Sequence, residues 1–115
     1  MPYLAIATNA KVSVETEKMF LKKASEAVAA GTGKPEQYVA VKLDAGQSMM
    51  FAATDAPAAF LELKSIGFPA KGVQGLAASL CGLVSKHFDI PGERIYVVFQ
   101  DVKASMWGHD GATFG

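Results

Sequence analysis

Pro2 follows Met1 directly, a context in which the initiator methionine is normally trimmed. The residue then left at the N-terminus carries a secondary amine. Such an amine is a good proton acceptor when its pKa is brought toward neutrality by an apolar pocket and a nearby cation, both of which disfavour the ammonium. That would give a general base with no histidine or carboxylate involved. Many chains begin Met-Pro for ordinary reasons, so the residues alone leave both readings open. The other chemical groups offer less. His87 and His109 are two isolated histidines, too few for a metal site, and read as a helix-end and a loop residue. Cys81 sits between Leu80 and Leu83 on a helical pattern and reads as a buried, inert thiol. Ser65 and Ser79 lack a Gly-x-Ser-x-Gly context, and no strand is followed by a glycine-rich phosphate loop. Neither a metal nor an organic cofactor is implied.

Composition narrows the classes further. Eleven basic and eleven acidic residues cancel, which leaves no charge surplus for binding nucleic acid through phosphates. One cysteine excludes an internal disulfide framework and fits a reducing compartment. No apolar run approaches the roughly 20 residues of a membrane span, and the N-terminus lacks a signal-peptide pattern. A cytoplasmic protein of one domain, residues 1–115, is the expectation, possible release without a signal peptide left open. Half of the residues are hydrophobic, although a domain this size buries only roughly 60–70% of its unfolded surface. The surplus calls for an oligomer interface or an apolar pocket.

The elements that must position Pro2 follow from periodicity. Tyr3 to Thr8 reads as a buried strand. Ser13 is the expected cap of a helix whose stripe is Val14, Leu21, Ala24 and Val28, with Gly31 as its stop. Tyr38 to Leu43 reads as the next strand, Met49 to Ala53 as a short one, and Ala59 to Ile66 as a longer one. A second helix follows from Val73 to about Phe88, with Leu76, Leu80, Leu83 and Val84 at helical spacing, and then a strand from Ile95 to Gln100. Tyr38-Val39-Ala40-Val41 after Pro35 matches Ile95-Tyr96-Val97-Val98 after Pro91. The expectation is an α+β, two-layer fold: a duplicated β-α-β unit forming a four-stranded sheet with both helices on one face. No helix remains to cover the other face, which is the reason to expect oligomerisation.

Several motifs in order complete the picture: Pro2 opening the first strand, Thr32-Gly33-Lys34-Pro35, Ser65-Ile66-Gly67, Leu80-Cys81-Gly82-Leu83, Arg94-Ile95-Tyr96 and Gly111-Ala112-Thr113-Phe114. With these the chain resembles the macrophage migration inhibitory factor family of the tautomerase superfamily over essentially its whole length. The resemblance implies a homotrimer with the sheets facing inward and sites at subunit interfaces. It implies Pro2 as catalytic base, and Lys34 as the cation that holds a substrate carboxylate and depresses the Pro2 pKa. Ile66 corresponds to a residue whose backbone contacts ligand, beside Ser65. Tyr38, Tyr96 and Phe114 correspond to the aromatic wall, part of it from the neighbouring subunit.

Departures from the animal pattern fall at this same site. Val98 stands where animal members have an asparagine that hydrogen-bonds substrate. Trp107 and His109 stand where they have a small aliphatic residue and a tryptophan, so the pocket mouth is reshaped. Ala58-Ala59-Phe60-Leu61 replaces the animal Cys-x-x-Cys, which speaks against a thiol-oxidoreductase role. The implied activity is keto–enol tautomerisation of a small aromatic 2-keto acid such as phenylpyruvate, with no nucleic acid or membrane partner. The alternative is a cytokine-like or host-directed binding protein with weak or vestigial catalysis. Dehalogenation or decarboxylation ranks lower, because Arg94 is the sole arginine.

Overall fold

The computed structural model describes residues 1–115. Strand β1 (Tyr3–Thr8) leads to helix α1 (Val14–Thr32), strands β2 (Ala40–Asp44) and β3 (Ala59–Ser65), helix α2 (Gln74–Phe88) and strand β4 (Ile95–Asp101). Two short strands, β5 (Gly108–His109) and β6 (Ala112–Thr113), form a separate hairpin near the C-terminus. The main sheet runs β2-β1-β3-β4. β1 pairs with β2 in parallel, β3 pairs with β4 in parallel, and β1 and β3 join the two halves antiparallel. This is the expected duplicated β-α-β sheet. The repeat extends to its turns: Pro35 and Pro91 have nearly the same backbone angles, φ −60° ψ 137° and φ −59° ψ 137°, and each opens a single 3₁₀ turn ahead of a strand.

Alternation in the strands separates the two faces of the sheet. Leu4, Ile6, Leu61 and Leu63 point into a core completed by Phe20, Ala24 and Val28 of α1 and by Leu76, Leu80, Val84 and Phe88 of α2. Each fully buried large side chain contributes about 1.5–3 kcal/mol. On the opposite face Phe60, Tyr96 and Val98 are exposed.

Four local expectations need correction. The α1 stripe is centred on Phe20 rather than Val14: Phe20 is buried against Phe88 with ring centroids 4.6 Å apart, whereas Val14, in the first turn, is 60% exposed. Gly31 does not stop α1. The helix continues to Thr32 and is closed by Gly33, in the left-handed region at φ +73°, whose N–H donates to Ala29 O. Tyr38 belongs to the 3₁₀ turn Glu36–Tyr38 and not to β2, because the Pro35 turn uses that stretch before extended backbone resumes. The stretch from Met49 to Ala53 makes only an isolated bridge, Phe51 to Thr54, since Ala52 and Ala53 take positive φ and turn the chain back. The other caps follow the expected chemistry: Ser13 Oγ accepts the Thr16 N–H at 3.2 Å.

The role of Gly31 is close approach. A Cβ built there overlaps the Leu76 side chain, so this glycine lets α1 lie tight against α2. Gly31→Ala should gain about 1 kcal/mol of helix propensity yet lose about 1–3 kcal/mol to overpacking. The expected outcome is net destabilisation, read as a lower urea midpoint with an unchanged slope. A raised midpoint would show that Leu76 rotates away at no cost.

Candidate functional site

Pro2 is fully buried on the helix-side face, just ahead of β1. Its carbonyl accepts the Ala40 N–H at 3.0 Å, which ties the N-terminus to the start of β2. Tyr3 pairs with Lys64, so extending the β1–β3 register by one residue sets Pro2 opposite Ser65. Ser65 is also fully buried, and its carbonyl accepts the Val102 N–H at 2.8 Å.

Lys34 reaches this end from the α1–β2 connection. Gly33 turns the chain in the left-handed conformation, and the Lys34 N–H donates to Thr32 Oγ1 at 3.3 Å. Thr32 Oγ1 in turn donates to Val28 O at 2.6 Å, which anchors the turn to the helix. The charge of Lys34 is felt at the N-terminal amine. With Met1 in place, that amine has its pKa lowered, first by burial and second by the repulsion of Lys34. The folded chain therefore binds this proton less readily than the unfolded chain does. Stability falls as the pH drops through the window between the ordinary and the lowered value.

The exit of β3 forms a second wall. The Gly67 N–H donates to Asp101 Oδ1 at 2.9 Å, so Ser65 and Gly67 are both tied to the end of β4. Ile66 lies between them, half-buried, and its amide and carbonyl enter none of the loop hydrogen bonds. On the outer face, at the same end of the sheet as Pro2 but on the side away from it, a 420 Å³ cleft is lined by Tyr3, Lys64, Gln100, Met106 and Trp107 among others. Trp107 is half-buried, and its carbonyl accepts the Phe114 N–H at 3.1 Å. Phe114 stacks on His109 with centroids 6.0 Å apart. Tyr38 is exposed in the turn two residues before Ala40.

Two expected wall residues do not join this group within one chain. Tyr96 pairs with Phe60, which pairs with Ala7, about 17 Å along β1 from Pro2. It packs instead on Phe51 at 4.7 Å. Val98 is level with Ala5, about 10 Å along the strand from Pro2, and lies on the exposed face opposite the buried proline.

The remaining reactive types are occupied structurally. Arg94 donates to Pro57 O and Ala56 O at 2.9 Å each and lies over the Phe51 ring, which clamps the loop at the far end of the sheet. His87 Nδ1 donates to Leu83 O at 2.9 Å. Cys81 is half-buried rather than buried, and burial pushes its thiol pKa up. Sequence reasoning missed Tyr3, Lys64 and Asp101. The alternation of β3 already set Lys64 outward, but its cleft depends on which strands are neighbours. The bond from Gly67 to Asp101 spans 34 residues and left no local signal.

Comparison with known proteins gives the family and the fold. The family described as "Macrophage migration inhibitory factor (MIF)" matches residues 1–115. The chain is 40% identical over 116 residues to a macrophage migration inhibitory factor homolog of Brugia malayi, covering 100% of both. It is 37% identical to macrophage migration inhibitory factor of Mus musculus, covering 99% of both. Among solved structures, a macrophage migration inhibitory factor homologue from Prochlorococcus marinus superposes with a TM-score of 0.92 at 33% identity, covering 98% of this chain and 99% of that one.

The amine and Lys34 can be uncoupled directly. Lys34→Ala should raise the pKa of the N-terminal amine while leaving it below the ordinary range, because burial is the larger cause. Titration of that amine by NMR checks this. An unchanged value would mean that the lysine charge does not reach the amine.

Proposed function

Because the chain belongs to the macrophage migration inhibitory factor family of the tautomerase superfamily, we propose that it is a keto–enol tautomerase for aryl-substituted 2-keto acids such as phenylpyruvate, with Pro2 as its general base after Met1 is removed. One observation carries this reading: Pro2 is fully buried, and the amine of the Met1 attached to it has its pKa lowered first by burial and second by Lys34, the surroundings a freed Pro2 amine inherits. An ammonium is disfavoured there and a neutral amine favoured, as a base working near neutral pH requires.

The chemistry balances without a cofactor. The Pro2 nitrogen takes a proton from the carbon next to the carbonyl. The C–H electron pair becomes the new C=C bond, and the carbonyl π pair moves onto oxygen. The proton on Pro2 then passes to that oxygen, giving the enol and restoring the neutral amine. The reverse order converts enol to keto. Lys34 pairs with the substrate carboxylate, while the backbone of Ile66, beside Ser65, offers hydrogen-bonding groups along its flank. Tyr38, Trp107 and Phe114 pack on the aryl ring.

Tyr96 and Val98 enter through assembly. The exposed sheet face and the separation of these residues from their own Pro2 support a homotrimer in which the Tyr96 end of one protomer approaches the Pro2 end of the next. Val98 brings an apolar surface where animal members have a hydrogen-bonding asparagine, so this wall grips the substrate less through polar contacts. That same loss is the observation favouring a second reading, a cytokine-like binding protein with vestigial turnover.

The decisive measurement is phenylpyruvate enol–keto conversion by the mature chain, by mature Pro2→Gly and by a form retaining Met1. Loss of a positioned base should cost roughly 10²–10⁴-fold, and the Met1 form should be inactive because its Pro2 nitrogen is an amide without a basic lone pair. Equal activity in all three forms would falsify the proline-base mechanism, and inactivity in all three would favour the binding protein. Lys34→Ala should raise KM roughly tenfold or more, as expected for a lost charged hydrogen bond. Sedimentation at micromolar concentration should give about three protomer masses, and a stable monomer would contradict the shared site.

A further inference from the structure

Three hydroxyl side chains are buried in this fold, and two of them are fully paired. Thr8 Oγ1 donates to Ala58 O at 2.7 Å and accepts the Ala10 N–H. Thr32 Oγ1 donates to Val28 O at 2.6 Å and accepts the Lys34 N–H. Ser65 Oγ alone, completely buried, has no hydrogen-bond partner in the chain. An orphaned buried hydroxyl bears its desolvation penalty with nothing to offset it, so such groups call for an explanation.

The register supplies one. Pro2 and Ser65 stand opposite each other across β1 and β3, both buried and on the same face. Residues so placed have Cβ atoms about 5 Å apart. With Met1 attached, the Pro2 nitrogen is a tertiary amide, which has no proton to give. Removal of Met1 creates one new buried donor next to the orphan: the N–H of a secondary amine.

We infer that Ser65 Oγ accepts a hydrogen bond from the Pro2 amine in the chain freed of Met1, fixing the direction of its lone pair. The Ser65 hydroxyl is then a positioning group that acts through Pro2. The bond persists when the amine takes up a proton, and it strengthens, since a charged donor makes the better hydrogen bond. Ser65 thus supports proton uptake, while burial and Lys34 oppose it. The other charged or titratable groups at this end are Lys64 and Tyr3 on the outer face, Asp101 bound to the Gly67 N–H, and Tyr38 in the preceding turn.

This inference rests on the Pro2 reading for its functional meaning, but its test does not need turnover. Ser65→Ala is compared with the parent in both the Met1-bearing and the mature chain. In the Met1-bearing chain, alanine removes an orphan and should leave Tm unchanged or raised. In the mature chain it removes a hydrogen-bond partner and should lower Tm. An identical change in both forms would overturn the inference, because a merely structural hydroxyl does not sense Met1. In the mature chain, the Pro2 nitrogen titrated by ¹⁵N NMR should lose roughly one pKa unit in Ser65→Ala, about tenfold in proton affinity. No shift there would also overturn it. Ser65→Cys, whose sulfur accepts weakly, should fall between the two and serves if alanine folds poorly. If these shifts appear and no form turns over phenylpyruvate, the tautomerase reading fails and the Ser65–Pro2 bond stands.

Discussion

The pairing of β1 with β3 is the contact on which the rest of the molecule depends. Each β-α-β half holds a parallel strand pair, and only this antiparallel seam joins the halves into one sheet. A slip of one residue would turn Leu4, Ile6, Leu61 and Leu63 out of the core, so the seam is fixed by four fully buried side chains. The same alignment sets Pro2 level with Ser65 and Tyr3 level with Lys64. The register that packs the core thus also composes the N-terminal site, and the two cannot vary independently.

Around that seam, electrostatics and burial act in one direction on the N-terminal amine. Lys34 needs Gly33 in a left-handed conformation and Thr32 anchored to Val28 to come near it. The loop after β3 needs Asp101 and Val102 to hold Ser65 and Gly67. These are backbone-directed bonds made by short polar groups, rigid enough to fix a turn and cheap in side-chain entropy. The longer charged side chains Lys34 and Lys64 are left without a carboxylate partner; the chain's one salt bridge joins Lys42 and Asp44.

Much of this was legible in the residues. A short, apolar, partly β-branched run marked Tyr3–Thr8, and period-two alternation marked the strand from Ala59, one residue longer in the sequence reading than the observed end at Ser65. Helical spacing marked α2, and the repeated proline turn revealed the duplication. What stayed hidden depended on partners distant in sequence. Gly31 looked like a stop because its partner, Leu76, belongs to the other helix. Phe20 lies off the Val14, Leu21, Ala24 and Val28 stripe, and its place in the core comes from Phe88, which belongs to the other helix. The Met49–Ala53 stretch had strand-like residues but no neighbouring strand to pair with. At the site, Pro2 was legible as a candidate, whereas Lys34 emerged only through family resemblance. That Ser65 is orphaned, or that Tyr96 sits at the far end of the sheet, required the pairing itself.

The duplication has a consequence for how the fold divides its labour. By internal symmetry, Ala59 occupies in the second half the position Pro2 has in the first, since Tyr3 faces the fifth residue after Pro35 as Phe60 faces the fifth after Pro91, and Ile90-Pro91 corresponds to Lys34-Pro35. The two proline turns coincide in backbone angles, yet Lys34 is half-exposed and Ile90 is sealed in the core. One scaffold end presents an amine and a cation; its symmetry mate presents a mid-chain peptide and a plug of hydrocarbon. At this end of the sheet the contrast that matters is carried by two pairs, Pro2 against Ala59 and Lys34 against Ile90. The closed end adds hydrocarbon to the core, while the open end keeps a polar terminus in the same backbone frame.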